Sequence, residues 1–277
     1  MHQPLAPRIG RIVAYLVLTA GALVSLVPFI WMVSTSLKPL DQVFVMPPQW
    51  IPDPVRWDNY TTLWQDLPMG RMIWNSVKVS VLVVIGQVIV CATSAYAFAR
   101  LRFPGRELIF GLYLASMMIP GQVTQIPSFM LMRVFGWIDT HYALIIPGLA
   151  SAFGTFLLRQ FLLTIPVELE EAARIDGANY WHIFAHIMLP LSRPALATLG
   201  VFTFMGVWND FMWPLITINS LDKMTLPLGL SFLNSVHSTD WTRLMAGDVI
   251  ALIPVVVVFL FAQRYFIHGI TLTGLKG

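Results

Sequence analysis

The chain is built from long apolar runs that carry no charge. Residues 12–33 extend for 22 residues without a charged side chain. A hydrocarbon core about 30 Å thick needs roughly 20 mostly apolar helical residues to be crossed. Lipid offers the backbone no hydrogen-bond partner, so such a run must satisfy its own amides as a helix. Comparable runs cover residues 79–99, 108–132 and 142–158, the last extending to 163 if Arg159 snorkels to the interface. Residues 194–218 are interrupted only by Asp210, and residues 244–263 carry Asp248 one turn in. The expectation is an all-α polytopic membrane protein in one transmembrane domain, residues 1–277. Six spans are placed near 12–36, 76–99, 108–132, 142–163, 194–218 and 244–266.

Composition closes the other options. Charged residues make up 11% of the 277, against about 25% in soluble domains, and a disordered chain would be richer still in charge. Cys91 is the single cysteine, which excludes a disulfide scaffold. A net charge of +3 without a basic cluster does not suit nucleic acid. Arg8 and Arg11 precede the first run as they would precede a secretory signal, but a signal core is about 7–15 residues long. This run continues through Phe29, Ile30, Trp31 and Met32, so it reads as a retained helix.

Six spans put both termini on one side, and positive charge near the helix ends chooses that side. With cytoplasmic termini, ten of the 17 basic residues fall inside and seven outside. Arg100, Arg102 and Arg106, in one short loop, contribute most of that bias. The outside segment 34–78 is rich in proline and tryptophan (Trp50, Trp57, Trp64), a composition that reads first as an interfacial belt.

Residues 159–193 are too long for a simple connector. Thr164 with Pro166 reads as a helix start, where the missing proline N–H costs nothing. Glu168, Glu170 and Glu171 then lie near the positive end of the helix dipole. Gly177 is placed for a left-handed stop. A second helix is expected from about Asn179 to Leu189, ended by Pro190. The product is a helix–turn–helix at the membrane surface, in the loop 164–193 between the fourth and fifth spans.

The letters in that loop carry more than periodicity. Glu171-Ala172-Ala173, Asp176-Gly177-Ala178 and, eight residues later, Ile187, Leu189 and Pro190 match the pattern E-A-A-x-x-D-G-A-x₈-I-x-L-P. The chain thereby resembles the permease subunits of ABC importers, whose loop of this form docks on a separate ATPase. Further segments resemble the carbohydrate branch, and the smaller permease of maltose-type importers in particular. These are Phe153-Gly154-Thr155-Phe156, Met118-Ile119-Pro120, Trp208-Asn209-Asp210-Phe211 and Leu226-Pro227-Leu228-Gly229-Leu230. A glycine-containing tail, residues 269–277, has a counterpart that reaches between ATPase subunits in that family.

The resemblance implies a type I importer permease in a bacterial inner membrane. Its partners would be a second permease subunit, two cytoplasmic ATPase subunits holding ATP and Mg, and an extracytoplasmic solute-binding protein. This chain would bind no cofactor or metal itself. It has no G-x-x-x-x-G-K-[ST] loop and no G-x-S-x-G, H-E-x-x-H or CxxC motif, so no enzyme chemistry is indicated. His182 and His186, spaced i,i+4, lack a third ligand nearby and read as a solvated face.

Small residues at Ala172, Ala173, Gly177 and Ala178 allow close approach to a partner backbone, and Glu171 and Asp176 offer acceptors. Within the spans, Asp210 would cost about 2.5–3.5 kcal/mol at a helix centre unless it faces a cavity or partner. Asn209, Trp208, Gln122 and Gln125 join it as candidates for a hydrophilic pathway, with interhelical hydrogen bonding an equal alternative. An ion-coupled secondary transporter is the competing function. It would be expected to show internal repeats and intramembrane relays, neither of which is visible here.

Overall fold

The computed structural model describes the backbone of residues 5–234 and 239–273, and the side chains of 10–234 and 239–263. Among the described residues the regular structure is helical, with one isolated bridge between Asn234 and Thr239. In chain order the helices are α1 (Leu5–Ser36), α2 (Asp58–Asp66), α3 (Met69–Arg100), α4 (Arg106–Ala115) and α5 (Gly121–Val134). There follow α6 (His141–Ile145), α7 (Ala152–Leu163), α8 (Glu168–Ile175), α9 (Tyr180–Ile183), α10 (Leu189–Leu191) and α11 (Arg193–Trp208). The last three are α12 (Met212–Thr217), α13 (Leu226–Leu230) and α14 (Trp241–Thr273).

Four described helical stretches are long and apolar enough to cross a membrane: residues 10–36, 69–100, 141–163 and 241–263. A fifth candidate is the pair 180–191 and 193–208, bent by 75°. The expected third span is not one helix. Pro120 forces Ile119 out of the helical region, to φ −82° and ψ 118°, and the run divides into α4 and α5 around a 3₁₀ turn. The fourth is likewise interrupted by a 3₁₀ turn at 146–149 containing Pro147. The fifth breaks after Trp208, where Asn209 and Asp210 connect α11 to α12.

The chain forms two compact units. The first comprises residues up to 67 together with 230–252. There α1 ends in a polar knot: the Ser36 hydroxyl meets Tyr60 at 2.8 Å, and Asn59 donates to the carbonyls of Ser36 and Lys38. Trp31 packs edge-on to Trp50 and lies 3.7 Å from the Lys38 ammonium. Trp57 and Trp64 are exposed.

The second unit comprises 68–229 and 253–277. Its core is a three-helix contact of α3, α7 and α11, with Cys91, Ala95, Leu158, Leu162 and Leu199 fully or nearly buried. Small residues set its spacing. A Cβ at Gly154 would come within 2.9 Å of Leu199 and 3.0 Å of the Cys91 sulfur, closer than carbon atoms pack. Between α3 and α11, the Thr203 hydroxyl donates to buried Gln87 at 2.5 Å, polar glue of the kind expected between membrane helices.

Candidate coupling loop and intramembrane cavity

The loop 164–193 does form two helical arms, with differences at both ends. Thr164 closes α7 rather than opening the next helix; its hydroxyl donates to the Phe161 carbonyl at 2.7 Å. Helix α8 starts after Val167 without a side-chain cap, and the Glu170 and Glu171 amides both donate to the Val167 carbonyl. Its end is as expected. Gly177 adopts φ +85°, its N–H donates to Arg174, and the Ala178 N–H reaches back to the Ala173 carbonyl at 2.9 Å. These two bonds form a Schellman stop.

The second arm starts at Asn179, whose side chain accepts from the His182 N–H at 2.8 Å. Pro190 does not end it. The arm continues through α10 to Leu191, because residues 184–188 relax into a π-helical turn ahead of the ring; such bulges accommodate insertions in a helix. His182 and His186 stack at 4.2 Å, and no group of three potential ligands exists among the described residues.

The strongest anchor of the loop is a side chain that helical patterning did not distinguish from its neighbours. Glu170 is buried and pairs with Arg100 at 3.0 Å, while Arg174 lies 3.5 Å away on its other side. Arg100 also donates to the carbonyls of Leu162 and Ile165, tying the ends of α3 and α7 to the loop. Burial pushes the Glu170 carboxyl above the usual carboxylate range, against the pull of Arg100 and Arg174. Arg159 completes this face by donating to the Phe98 carbonyl and stacking on Phe110.

With Glu170 turned inward, the opposite surface of the motif is free. Glu171, Ala172, Asp176 and Gly177 are exposed, and Ile175 projects with 87% of its surface accessible. Ala173, Ala178, Ile187 and Leu189 pack against the core cluster instead, and Pro190 is half-buried. The motif therefore divides into residues that fasten the loop and residues that present it.

A cavity of about 460 Å³ lies between α3, α5 and the α11–α12 break. Gln122, Thr124, Gln125 and Ser128 of α5 line it, with Asp210 and Trp213 opposite. Asp210 accepts the Trp213 N–H at 3.3 Å, and the Trp213 indole donates to the Ala143 carbonyl at 2.8 Å. Two of the other sequence candidates lie off this wall. Trp208 is buried and stacks on Phe204, and Asn209 donates to its own helix at Met205. Thr124 and Ser128 were not anticipated, although their i,i+4 spacing on the helix of Gln122 and Gln125 was a readable signal.

A second cluster ties the α5–α6 loop to the segment after α12. Asp139, at φ +58°, accepts from the Asn219 and Ser220 amides, from the Ser220 hydroxyl and from Lys223. Burial alone would raise its carboxyl, but these donors hold it well below the usual range. Asn75 of α3 donates to the carbonyls of Asp222 and Met224, and His141 meets that of Lys223. The notional tail at 269–277 is helical to residue 273, and its last four residues lie outside those described.

Comparison with known proteins agrees with this architecture. Residues 88–271 match the family described as binding-protein-dependent transport system inner membrane component. The chain is 39% identical, over 73% of each sequence, to the arabinooligosaccharides transport system permease protein AraQ of Halalkalibacterium halodurans. It is 37% identical, over 94% of this chain and 95% of the relative, to the sn-glycerol-3-phosphate transport system permease protein UgpE of Yersinia enterocolitica. Its fold superposes with a TM-score of 0.82 and 26% identity on a chain of a bacterial ABC transporter involved in import of the acidic polysaccharide alginate. That match covers 96% of this chain and 99% of the other.

Proposed function

Because the chain belongs to the family of binding-protein-dependent transport system inner membrane components, we propose that it works as follows. It is a permease subunit of an ABC importer for carbohydrates or related polyols and sugar phosphates, a reading supported by the arabinooligosaccharides, sn-glycerol-3-phosphate and alginate named for its relatives. It crosses the bacterial inner membrane six times with both termini cytoplasmic, α4–α5 and α11–α12 each crossing as a broken helix. A second permease completes the passage, and a solute-binding protein delivers cargo from outside. Two cytoplasmic ATPase subunits hold the ATP and Mg.

The observation that carries this reading is the split motif. Glu170 and Arg100 fix α8 to the ends of α3 and α7, and Glu171, Ala172, Ile175 and Gly177 are left exposed. A loop that only joined two spans would gain nothing from an exposed Ile175 beside two bare small residues. A loop that seats in a cleft of a motor protein needs an apolar knob, close backbone approach and a rigid root. ATP-driven closure of the motor pair would then move α8, and the root would pass that movement to α3 and α7. The cavity beside Asp210 would form part of the hydrophilic pathway, with Gln122 and Gln125 offering both donors and acceptors to hydroxyls.

Gly177→Asp tests the coupling. Aspartate at φ +85° is strained, and it places a second carboxylate beside Asp176. The expected result is normal membrane insertion with transport abolished and ATPase co-purification weakened. Unimpaired uptake would overturn the docking role. Failure of the wild-type chain to co-purify with any ATPase or second permease would overturn the whole reading.

A further inference from the structure

A groove of about 480 Å³ lies where the last turns of α3 meet the second arm of the coupling loop. Its walls are aromatic: Tyr96, Phe103, Tyr180, Trp181 and Phe184. Phe184 packs 5.2 Å from Tyr96 and 6.0 Å from Trp181, measured between ring centres, so the walls belong to both elements. Thr93 and Ala97 of α3, inside the span, contribute small side chains to its lining.

One end of the groove is cationic. Arg102 lines it just beyond the end of α3, exposed and without an ion-pair or hydrogen-bond partner among the described residues. The neighbouring arginines are engaged: Arg106 pairs with Glu107 and donates to Leu101, and Arg100 holds Glu170. Arg102 and Phe103 also line a second hollow of about 440 Å³ with Arg106 and Glu107. An apolar slot between the last turns of α3 and the second arm of the loop thus runs into an unpaired cation just beyond the helix end.

That order of chemistry suits an acyl chain followed by a phosphate. A soluble anion has no use for the aromatic slot. We propose that the groove binds one anionic phospholipid of the cytoplasmic leaflet. Its phosphate sits on Arg102 and one chain lies along Tyr96, Phe103 and Trp181. The bound lipid braces the second arm of the loop against α3, so that coupling depends on lipid charge. The inference rests on the inward orientation proposed above.

The test is native mass spectrometry of the intact importer exchanged into mixtures of phosphatidylglycerol and phosphatidylcholine. The expected result is retention of one phosphatidylglycerol per copy in preference to phosphatidylcholine. Arg102→Gln should weaken retention about fivefold, the effect of removing one basic residue at an anionic surface. Ala97→Trp, which fills the slot without altering charge, should abolish retention. Equal retention of the two lipids, or retention indifferent to Arg102→Gln, overturns the proposal. So does loss of the ATPase subunits from the Arg102→Gln complex, which would make the groove a protein interface. Labelling of Arg102→Cys by an impermeant thiol reagent from the external side would overturn the orientation instead, and lipid retention is measured independently of it.

Discussion

Glu170 shows how much a single side chain decides in a protein with few charges. Its neighbours Glu168 and Glu171 are solvated, so each is worth about 0.3–1 kcal/mol through the helix dipole. Glu170 is buried against Arg100, and removing one partner of such a pair leaves an unpaired buried charge, a loss of about 3–5 kcal/mol. Glu170→Ala should therefore lower the melting temperature of the purified complex markedly, while Glu171→Ala should lower it only slightly. Arg100→Leu combined with Glu170→Leu should recover much of the loss, because the stranded charge is gone. A pH series adds a sign. The Glu170 carboxyl lies above its ordinary range in the folded chain, so the folded state holds the proton more tightly than the unfolded. Its contribution is fully present below the unfolded carboxylate pKa and declines as pH rises through the elevated value. The stability gap between wild type and Glu170→Gln should shrink as pH rises from acid toward neutral; a gap that widens would contradict this assignment. None of this was legible locally, since Glu168, Glu170 and Glu171 look alike in a helical pattern. The partner of Glu170 lies 70 positions earlier in the chain. Asp139 was hidden for the same reason, as its donors come from residues 219–223.

Among elements, what the sequence made legible is whatever depends on runs and on local stops. Helices α1, α3 and α14 follow from apolar runs of sufficient length. The Schellman end of α8 follows from Gly177, the residue type that takes positive φ without strain. Proline was less readable, because its effect depends on what surrounds it. Pro120 breaks the third span, Pro127 is accommodated within α5, and Pro190 sits inside an arm that a π turn has loosened. Helix spacing was also out of reach, since it depends on which faces meet. Gly154 of α7 is the sharpest instance, facing Cys91 of α3 and Leu199 of α11 with no room for a methyl group. Gly154→Val should push these helices apart and cost about 1–3 kcal/mol, the usual range for overpacking. Thermal unfolding of the detergent-purified complex would measure it. Gly111, with nothing within 4 Å, serves as the control that should tolerate the same change in packing terms.

At the scale of the whole molecule, the number of crossings turns on α4–α5. By length and apolarity four helical stretches qualify as spans and the bent pair makes a fifth; α4–α5 is not among them. The interruption at Ile119–Pro120 leaves two readings. If α4 and α5 together cross the bilayer, the Arg102 loop and the Phe135 turn lie on opposite sides of the membrane. If the pair enters and returns, they lie on the same side, and every later element changes sides, including the coupling loop. Polar Gln122, Gln125 and Ser128 of α5 line a cavity rather than facing lipid, which accommodates a break at membrane depth in either reading. The charge pattern favours crossing, since the arginines of the 100–106 loop are grouped before α4 whereas α5 ends with Arg133 alone. The expected outcome is that, in otherwise wild-type chains with buried Cys91 retained, Arg102→Cys labels with an impermeant thiol reagent only in inverted vesicles. Phe135→Cys, at a position 55% exposed, should label only in intact cells. Labelling of both from one side would remove a crossing and place α8 outside, out of reach of any cytoplasmic ATPase. One pair of cysteines therefore decides the topology, and with it whether the exposed face of α8 can meet a motor at all.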